Sequence, residues 1–187
     1  MSSKCENFAA ELSLIRTEYI KKFLGYCIDN LPDYFFHVAA SSSGKYHPEY
    51  ALGDGGLMRH TKAAVHIAKE LFNLEMFQFT EEEQDLMLVA LLLHDGQKQG
   101  KKQGNTVFEH PLLAADFVKQ CHIETELISD DQMKFIYDCI ATHMGSWNTS
   151  KYSKTVLPKP KTKYQKFIHL CDYLASRKFL EMNFDKI

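Results

Sequence analysis

A chain of 187 residues with 45% hydrophobic content is long enough to bury a core in one globular domain over residues 1–187, and this composition does not indicate disorder. A net charge of −2 gives no global reason to expect nucleic acid as a partner. Five scattered cysteines argue against a disulfide framework and predict a reducing, cytoplasmic location. Because the N-terminus is polar and no apolar run approaches about 20 residues, we expect no membrane association.

The N-terminal residues have the spacing of one amphipathic helix. Apolar side chains recur every three or four positions over residues 6–30, and the pattern ends at Asn30-Leu31-Pro32. We expect this helix, within residues 1–32, to be added in front of a metal-binding core over residues 50–182.

Residues 33–56 are an irregular stretch that is too long for an idle connection, so we expect a functional loop. Its serine-rich turn, Ser41 to Lys45, could supply donors to a phosphate, which makes Lys45 a candidate substrate contact. Ordinary turn chemistry is the alternative for this segment.

The segment over residues 58–72 predicts an amphipathic helix with His60 on its apolar stripe. Two other polar side chains of this helix fall on different faces. We expect Arg59 to reach the mouth of a site and His66 to lie on the surface.

The central stretch is Leu86–Leu93, eight apolar residues that run directly into His94 and Asp95. It belongs to a helix that begins at a capping box, Thr80 to Glu83. A buried imidazole and a buried carboxylate lose hydration, and a bound cation is the strongest partner available to them. Adjacent helical residues point about 100° apart, so the pair binds one ion only at a helix end, which Gly96 supplies. The two oxygens of Asp95 could instead bridge two ions.

Three later segments carry further ligand-type side chains. His110 opens a helix with a proline in its first turn, where proline is tolerated. His143 lies at the end of a predicted helix over residues 130–144. Asp172 lies on or beside the apolar face of a last helix over residues 164–182.

Two loops near these ligands are rich in lysine, and the second of them, residues 146–163, could act as a lid. Any one of these lysines is most simply a solvated loop residue. If the ligands converge, however, both loops open near the metals and suit an anionic substrate. Trp147 could stack on a substrate ring or simply pack within its loop. The lysines are Lys98, Lys101, Lys102, Lys151, Lys154, Lys159, Lys161, Lys163 and Lys166.

The ligand series resembles the HD-domain superfamily of metal-dependent phosphohydrolases, and Lys98 completes the His-Asp-x-x-Lys form of its central motif. The resemblance covers roughly residues 50 to 180. It implies an all-α fold, an HD-domain helical bundle of about six to eight helices with long functional loops. It also implies one metal held by His60, His94, Asp95 and Asp172, and a second held by Asp95, His110 and His143.

The resemblance implies a metal-dependent phosphohydrolase, either a nucleotide phosphatase or a phosphodiesterase, in which two divalent ions (Mn, Fe, Mg or Zn) activate a water. Asp95 would act as the bridging ligand, and Lys98 would contact a phosphate oxygen or the leaving group. Lys45, Arg59 and Trp147 are the candidate substrate-binding residues. We expect a small anionic substrate, a nucleotide or a short oligonucleotide.

Three alternatives stay open. The segment Gly55 to Thr61 looks like the HD domain of YhaM-type 3′-to-5′ exoribonucleases, although no obvious OB-fold segment precedes it here. The HD fold also hosts mixed-valence diiron oxygenases, similar to myo-inositol oxygenase and the phosphonate-cleaving enzymes, with the same ligand series. The last alternative is a nucleotide-binding or anti-defence module that retains the ligands only for structure.

Overall fold

The computed structural model describes residues 2–41, 44–100 and 103–180. Lys101, Lys102, two serines of the serine-rich turn and the end of the predicted last helix lie outside these residues. The described residues contain eight α-helices, two short 3-10 helices and no strand, which confirms the predicted all-α class. None of these helices has the length and apolar character needed to cross a membrane.

The helices follow one another with mostly short connections. The α-helices are α1 (Ser3–Glu6), α2 (Ala9–Leu14), α3 (Glu18–Asp29), α4 (Gly56–Leu71), α5 (Glu81–Leu93), α6 (His110–Thr125), α7 (Asp130–Ala141) and α8 (Lys163–Ala175). The 3-10 helices, Asp33–Phe36 and Glu49–Ala51, lie in the stretch that was predicted to be irregular.

Helix α5 is the centre of the bundle and packs against α3, α4, α7 and α8. Its capping box is confirmed: Thr80 accepts a hydrogen bond from the Glu83 N–H, and the Glu83 carboxylate accepts one from the Thr80 N–H. Every residue from Asp85 to Leu93 is buried. A helix that is apolar on all sides needs neighbours all round, and the end of α5 therefore delivers His94 and Asp95 into the interior.

The prediction of one helix over residues 6–30 is wrong, because α1, α2 and α3 replace it. The break between α2 and α3 lies at Ile15, whose backbone is extended. There the N–H groups of Arg16 and Thr17 donate to the carboxylate of Asp85 on α5, with the shortest contact 2.8 Å. The buried carboxylate of Asp85 thus accepts hydrogen bonds from two N–H groups that, in a continuous helix, would donate to backbone carbonyls of the helix itself. The predicted end is confirmed, since α3 ends at Asp29.

The prediction that His66 lies on the surface is also wrong. Its Nε2 lies 3.0 Å from the carboxylate of Glu11 on α2, which is 2% exposed. Lys62 approaches the other oxygen of that carboxylate at 3.4 Å. Helix α2 covers this face of α4. The spacing of apolar residues within α4 gives no information about where α2 packs.

Helix α8 is shorter than predicted and ends at Ala175. The N–H of Ser176 donates to the Asp172 carbonyl at 3.0 Å, and the next residues form turns. The early end places Arg177 beside the last turn of the helix, where its guanidinium lies 4.4 Å from the ring centre of Tyr173.

Candidate metal centre

The six residues of the predicted ligand series meet at one place in the interior. They come from α4, the end of α5, the first turn of α6, the turn after α7, and α8. Only one of them, Asp172, has a partly open side chain, which is 18% exposed. The other five, each at most 2% exposed, are His60, His94, Asp95, His110 and His143.

The carboxylate of Asp95 faces two groups of histidines, one with each oxygen. Its Oδ2 lies 3.6 Å from the Nε2 of His94 and 3.8 Å from the Nε2 of His60. Its Oδ1 lies 3.1 Å from the Nε2 of His110 and 3.6 Å from the Nε2 of His143. Asp95 therefore divides the cluster into a first half-site with His60 and His94 and a second with His110 and His143.

Asp172 belongs to the first half-site. Its Oδ1 lies 3.0 Å from the Nε2 of His60 and 3.4 Å from the Nε2 of His94. In the second half-site the two Nε2 atoms of His110 and His143 are 3.2 Å apart. Metal–ligand bonds of about 2.1 Å place neighbouring donor atoms about 3.0 to 3.4 Å apart, so these separations fit ions bound between the side chains.

Backbone carbonyls indicate which ring nitrogen carries the proton in the neutral form of three of the histidines. Each Nδ1 lies 2.7 or 2.8 Å from the carbonyl oxygen three residues earlier. A carbonyl only accepts, so the proton is assigned to Nδ1 and a lone pair to Nε2. This orientation is the one that metal-binding histidines usually have. The three histidines are His94, His110 and His143, and their carbonyl partners are Leu91, Val107 and Ile140.

This assignment leaves lone pairs facing one another in the interior. The two Nε2 atoms of His110 and His143 cannot bond to each other as neutral rings, because each presents an acceptor. The Nε2 of His94 is buried without a hydrogen-bond partner and faces carboxylate oxygens. Buried acceptors in such an arrangement are costly unless a cation lies between them. The donor set therefore fits divalent metal ions.

The charges of the centre suit the same ions. Burial alone would raise the pKa of Asp95, but Lys98, His94 and His110 hold it well below its usual range. Burial alone would raise the pKa of Asp172, but the neighbouring imidazoles of His60 and His94 hold it well below its usual range. Both carboxylates are therefore anionic at neutral pH.

The imidazoles of the second half-site are poor bases. Burial, with a smaller effect of the neighbouring His94, lowers the pKa of His143 to about 3. Burial and then Lys98 lower the pKa of His110. In contrast, the pKa of His94 is raised, since the two carboxylates outweigh its burial. Neutral imidazoles are the form that binds metal, so the second half-site needs no proton removed before an ion binds.

Lys98 reaches inward from the turn after α5. Its Nζ lies 2.8 and 3.0 Å from the two oxygens of Asp95, and its side chain is 15% exposed. The hydroxyl of Tyr34 stabilises this turn, since it accepts from the Gln99 N–H and donates to the Gly100 carbonyl. A lysine with this environment presents its charge to the centre rather than to solvent.

Of the three candidate substrate-binding residues, Lys45 and Trp147 lie in loops and Arg59 lies in α4. The guanidinium of Arg59 donates to the carbonyls of Tyr50 and Leu52 at 2.6 and 2.9 Å, so it binds the loop before α4. The Nζ of Lys45 lies 5.2 Å from the ring centre of its neighbour Tyr46. Trp147 stacks on another ring, as described below. Their contact with substrate stays a prediction.

His47 is a residue of the centre that the sequence did not reveal. Its ring lies 5.5 Å from the ring of His60, and its Nδ1 is buried without a hydrogen-bond partner. Burial, with His60 and Lys98, lowers the pKa of His47 to about 4, so the ring is neutral at pH 7. It lies in a loop before Pro48, where no helical spacing gives a signal.

Comparison with known proteins identifies one family. The model of the HD domain matches residues 57–177, a range that contains all six residues of the ligand series and Lys98. No curated protein and no solved structure matches the chain.

Proposed function

The chain belongs to the HD-domain family, a superfamily of metal-dependent phosphohydrolases, and we propose that it is a nucleotide phosphatase or phosphodiesterase with a two-ion centre. The single observation that supports two ions best is the carboxylate of Asp95, which turns one oxygen to each pair of histidines. A one-ion centre would not require the second pair, His110 and His143, to face the same carboxylate.

The proposed ligands follow the two half-sites. When bound, two divalent ions supply a water of lowered pKa and positive charge for the phosphoryl oxygens. The ligands are His60, His94, Asp95 and Asp172 for one ion, and Asp95, His110 and His143 for the other. Asp95, Asp172 and Lys98 together carry a net charge of −1 with neutral histidines, and two divalent ions would change this to +3, which favours a phosphate anion.

The protein side chains provide orientation and shielding. Five ligands are at most 2% exposed, so solvent reaches the centre mainly on the side of Asp172 and Lys98. A phosphate that enters there meets the ammonium of Lys98, which can donate to a phosphoryl oxygen and offset the charge that develops during transfer. The backbone carbonyls behind His94, His110 and His143 keep the Nε2 atoms of these three rings pointing inward, so these ligands need little rearrangement.

The proposal is tested by a substrate screen. Phosphomonoesters, cyclic and linear dinucleotides and short single strands are incubated with the chain loaded separately with Mn²⁺, Mg²⁺, Fe²⁺ and Zn²⁺. We expect hydrolysis of at least one phosphoester with at least one metal, and its loss in Asp95→Ala and in chelator.

Two results would contradict the proposal. Full activity in Asp95→Ala would exclude the chemistry assigned to the centre. A mixed-valence iron signal by electron paramagnetic resonance after aerobic loading, with no phosphoester hydrolysed under any condition, would favour the oxygenase class instead.

A further inference from the structure

Aromatic and cationic side chains form a continuous series of contacts beside the metal centre, which we call the stacking ladder: Trp147, Tyr173, Arg177 and Tyr46. The rings of Trp147 and Tyr173 are stacked, with centroids 5.7 Å apart and planes 13° apart. The guanidinium of Arg177 lies 4.4 Å from the centre of the Tyr173 ring and 5.8 Å from that of Tyr46. The Lys178 N–H also donates to the Tyr46 carbonyl at 2.9 Å, which joins the loop to the end of α8.

The ladder is joined through the chain to the proposed centre at two places. Tyr173 follows Asp172, the one ligand with a partly exposed side chain, and Tyr46 precedes His47, whose ring contacts His60. Its members are therefore chain neighbours of the centre and do not belong to a remote surface.

The position of Trp147 is held by a second connection. His169, one turn before Asp172 on α8, donates from Nδ1 to the His143 carbonyl at 2.7 Å. Gly145 lies between His143 and Trp147 with a φ of +59°, and a Cβ there would meet the His169 ring at 2.2 Å. The turn from the ligand to the tryptophan is therefore closely packed, and its glycine is required by both conformation and space.

Trp147 keeps much of its ring open although the turn that carries it is packed. Its side chain is 51% exposed, while one face lies against Tyr173. An aromatic side chain that is rigid, half-open and next to an anion-binding centre has the properties of a platform for a flat ring. The arginine in the ladder adds a cation to the same stack, and it suits an electron-rich base.

We propose that Trp147 stacks on the nucleobase of the substrate while the phosphate of that nucleotide lies at the metal centre. This inference rests on the proposed function. It names the substrate class as a phosphate compound that carries an aromatic base, in contrast to a sugar phosphate without a base. The base would extend the Trp147–Tyr173 stack by one layer. Stacking is tolerant of base identity, so the ladder selects for the presence of a base and not for one base.

The experiment uses Trp147 as its own probe, because it is the only tryptophan in the 187 residues. Adenosine 5′-monophosphate and ribose 5-phosphate, which lacks the base, are titrated into the full chain in Mg²⁺ and in Zn²⁺, neither of which is paramagnetic. We expect saturable quenching of the fluorescence by the nucleotide and weaker binding of ribose 5-phosphate.

Calorimetric titration then compares two variants. Trp147→Ala should weaken binding of the nucleotide about 5- to 140-fold, the range for removal of a stacking aromatic, and should leave ribose 5-phosphate unchanged. Trp147→Phe should restore part of the loss. The matched control is Tyr152→Ala, which removes an 86% exposed ring from the same loop and should change neither ligand.

The inference is overturned if the two ligands bind equally, if the nucleotide gives no saturable response, or if Trp147→Ala behaves like Tyr152→Ala. Equal, metal-dependent binding of both ligands would remove the stacking role and leave the phosphohydrolase proposal standing. Absence of metal-dependent binding by either ligand would count against both proposals. If Trp147 instead bound a protein partner, Trp147→Ala would leave nucleotide binding unchanged. The loss of nucleotide affinity that we expect in Trp147→Ala would exclude this alternative.

Discussion

Removal of metal from the centre should lower the stability of the whole fold. Without an ion, the Nε2 atoms of His110 and His143 face one another at 3.2 Å, and that of His94 has no hydrogen-bond partner. These side chains lie at the end of α5, at the start of α6 and in the turn after α7, so two ions that share Asp95 would connect all three segments. Because the ligands are brought together only in the folded chain, binding stabilises the native state by mass action.

The size of the effect follows from affinity and chain length. A metal concentration 100 times the dissociation constant adds about 2.7 kcal/mol to the free energy of unfolding. For a chain of this length each 1 kcal/mol moves the melting temperature by about 2 to 4 °C. We therefore expect chelator-treated protein to gain about 5 to 11 °C on saturation with the correct ion.

The assay is a thermal melt at increasing metal concentration, with two variants of the same helix. His110→Ala removes a proposed ligand at the start of α6. His122→Ala removes a histidine near the end of α6 whose Nε2 lies 2.9 Å from Asp130, away from the centre. Each variant is compared with its own chelated form, so a lower baseline stability does not enter the result. Each tenfold loss of affinity should remove about 1.4 kcal/mol of the metal-dependent gain.

We expect the metal-dependent gain to be smaller in His110→Ala and unchanged in His122→Ala. An equal gain in both variants would refute the place of His110 in the centre. No gain in the unmodified chain with any of Mn²⁺, Fe²⁺, Mg²⁺ and Zn²⁺ would refute the reasoning from the buried lone pairs.

Three further predictions concern single side chains. Lys98→Met should lower kcat/KM for a hydrolysed phosphoester by about 10²-fold, the cost of one lost donor, and should leave metal content unchanged; a kcat/KM equal to that of the unmodified chain would contradict its role. Asp85→Ala should lower the free energy of unfolding, measured in urea, by about 2 to 4 kcal/mol, because it leaves two backbone N–H groups unpaired. An effect under about 0.5 kcal/mol, which is typical of surface changes, would contradict the part played by Asp85 between α2 and α3. Burial would raise the pKa of Glu11, but His66 and Lys62 outweigh it and the pKa is lowered from 4.5. Its stabilising contribution is therefore complete above pH 4.5 and is lost as the pH falls through the lowered value. The loss of stability in Glu11→Gln should accordingly shrink from pH 7 to pH 3 in urea melts, and a pH-independent loss would contradict this sign.

The helices and the placement of the ligand-type residues on them followed from local signals. Apolar spacing, the capping box at Thr80 and the helix end at Gly96 are properties of short segments, and each determines structure within about one turn. The placement of His94 and Asp95 at the end of an all-buried helix is the consequence of one such signal. The family resemblance then supplied the order in which the other ligands belong together.

The errors arose where a distant element decided the outcome. The break between α2 and α3 depends on Asp85, about 70 residues later in the chain, and apolar spacing over residues 6–30 contains no trace of it. The partial burial of His66 likewise depends on where α2 packs. His47 approaches the centre from a loop whose path has no periodic signal. Tertiary contacts override local patterns at such positions.

The protonation of the histidines also needed the three-dimensional structure. Carbonyl partners three residues earlier assign the lone pairs of His94, His110 and His143 to the interior, but the sequence shows only that histidines are present. This assignment changes the cluster from a group of polar residues into a set of donors that could hold metal ions.

The most direct measurement is anomalous diffraction at the manganese absorption edge from crystals of the Mn²⁺-loaded chain. Two peaks are predicted, one on each side of the Asp95 carboxylate, the first beside His60 and His94 and the second beside His110 and His143. Crystals with one peak, with peaks away from Asp95, or with none would contradict a two-ion centre.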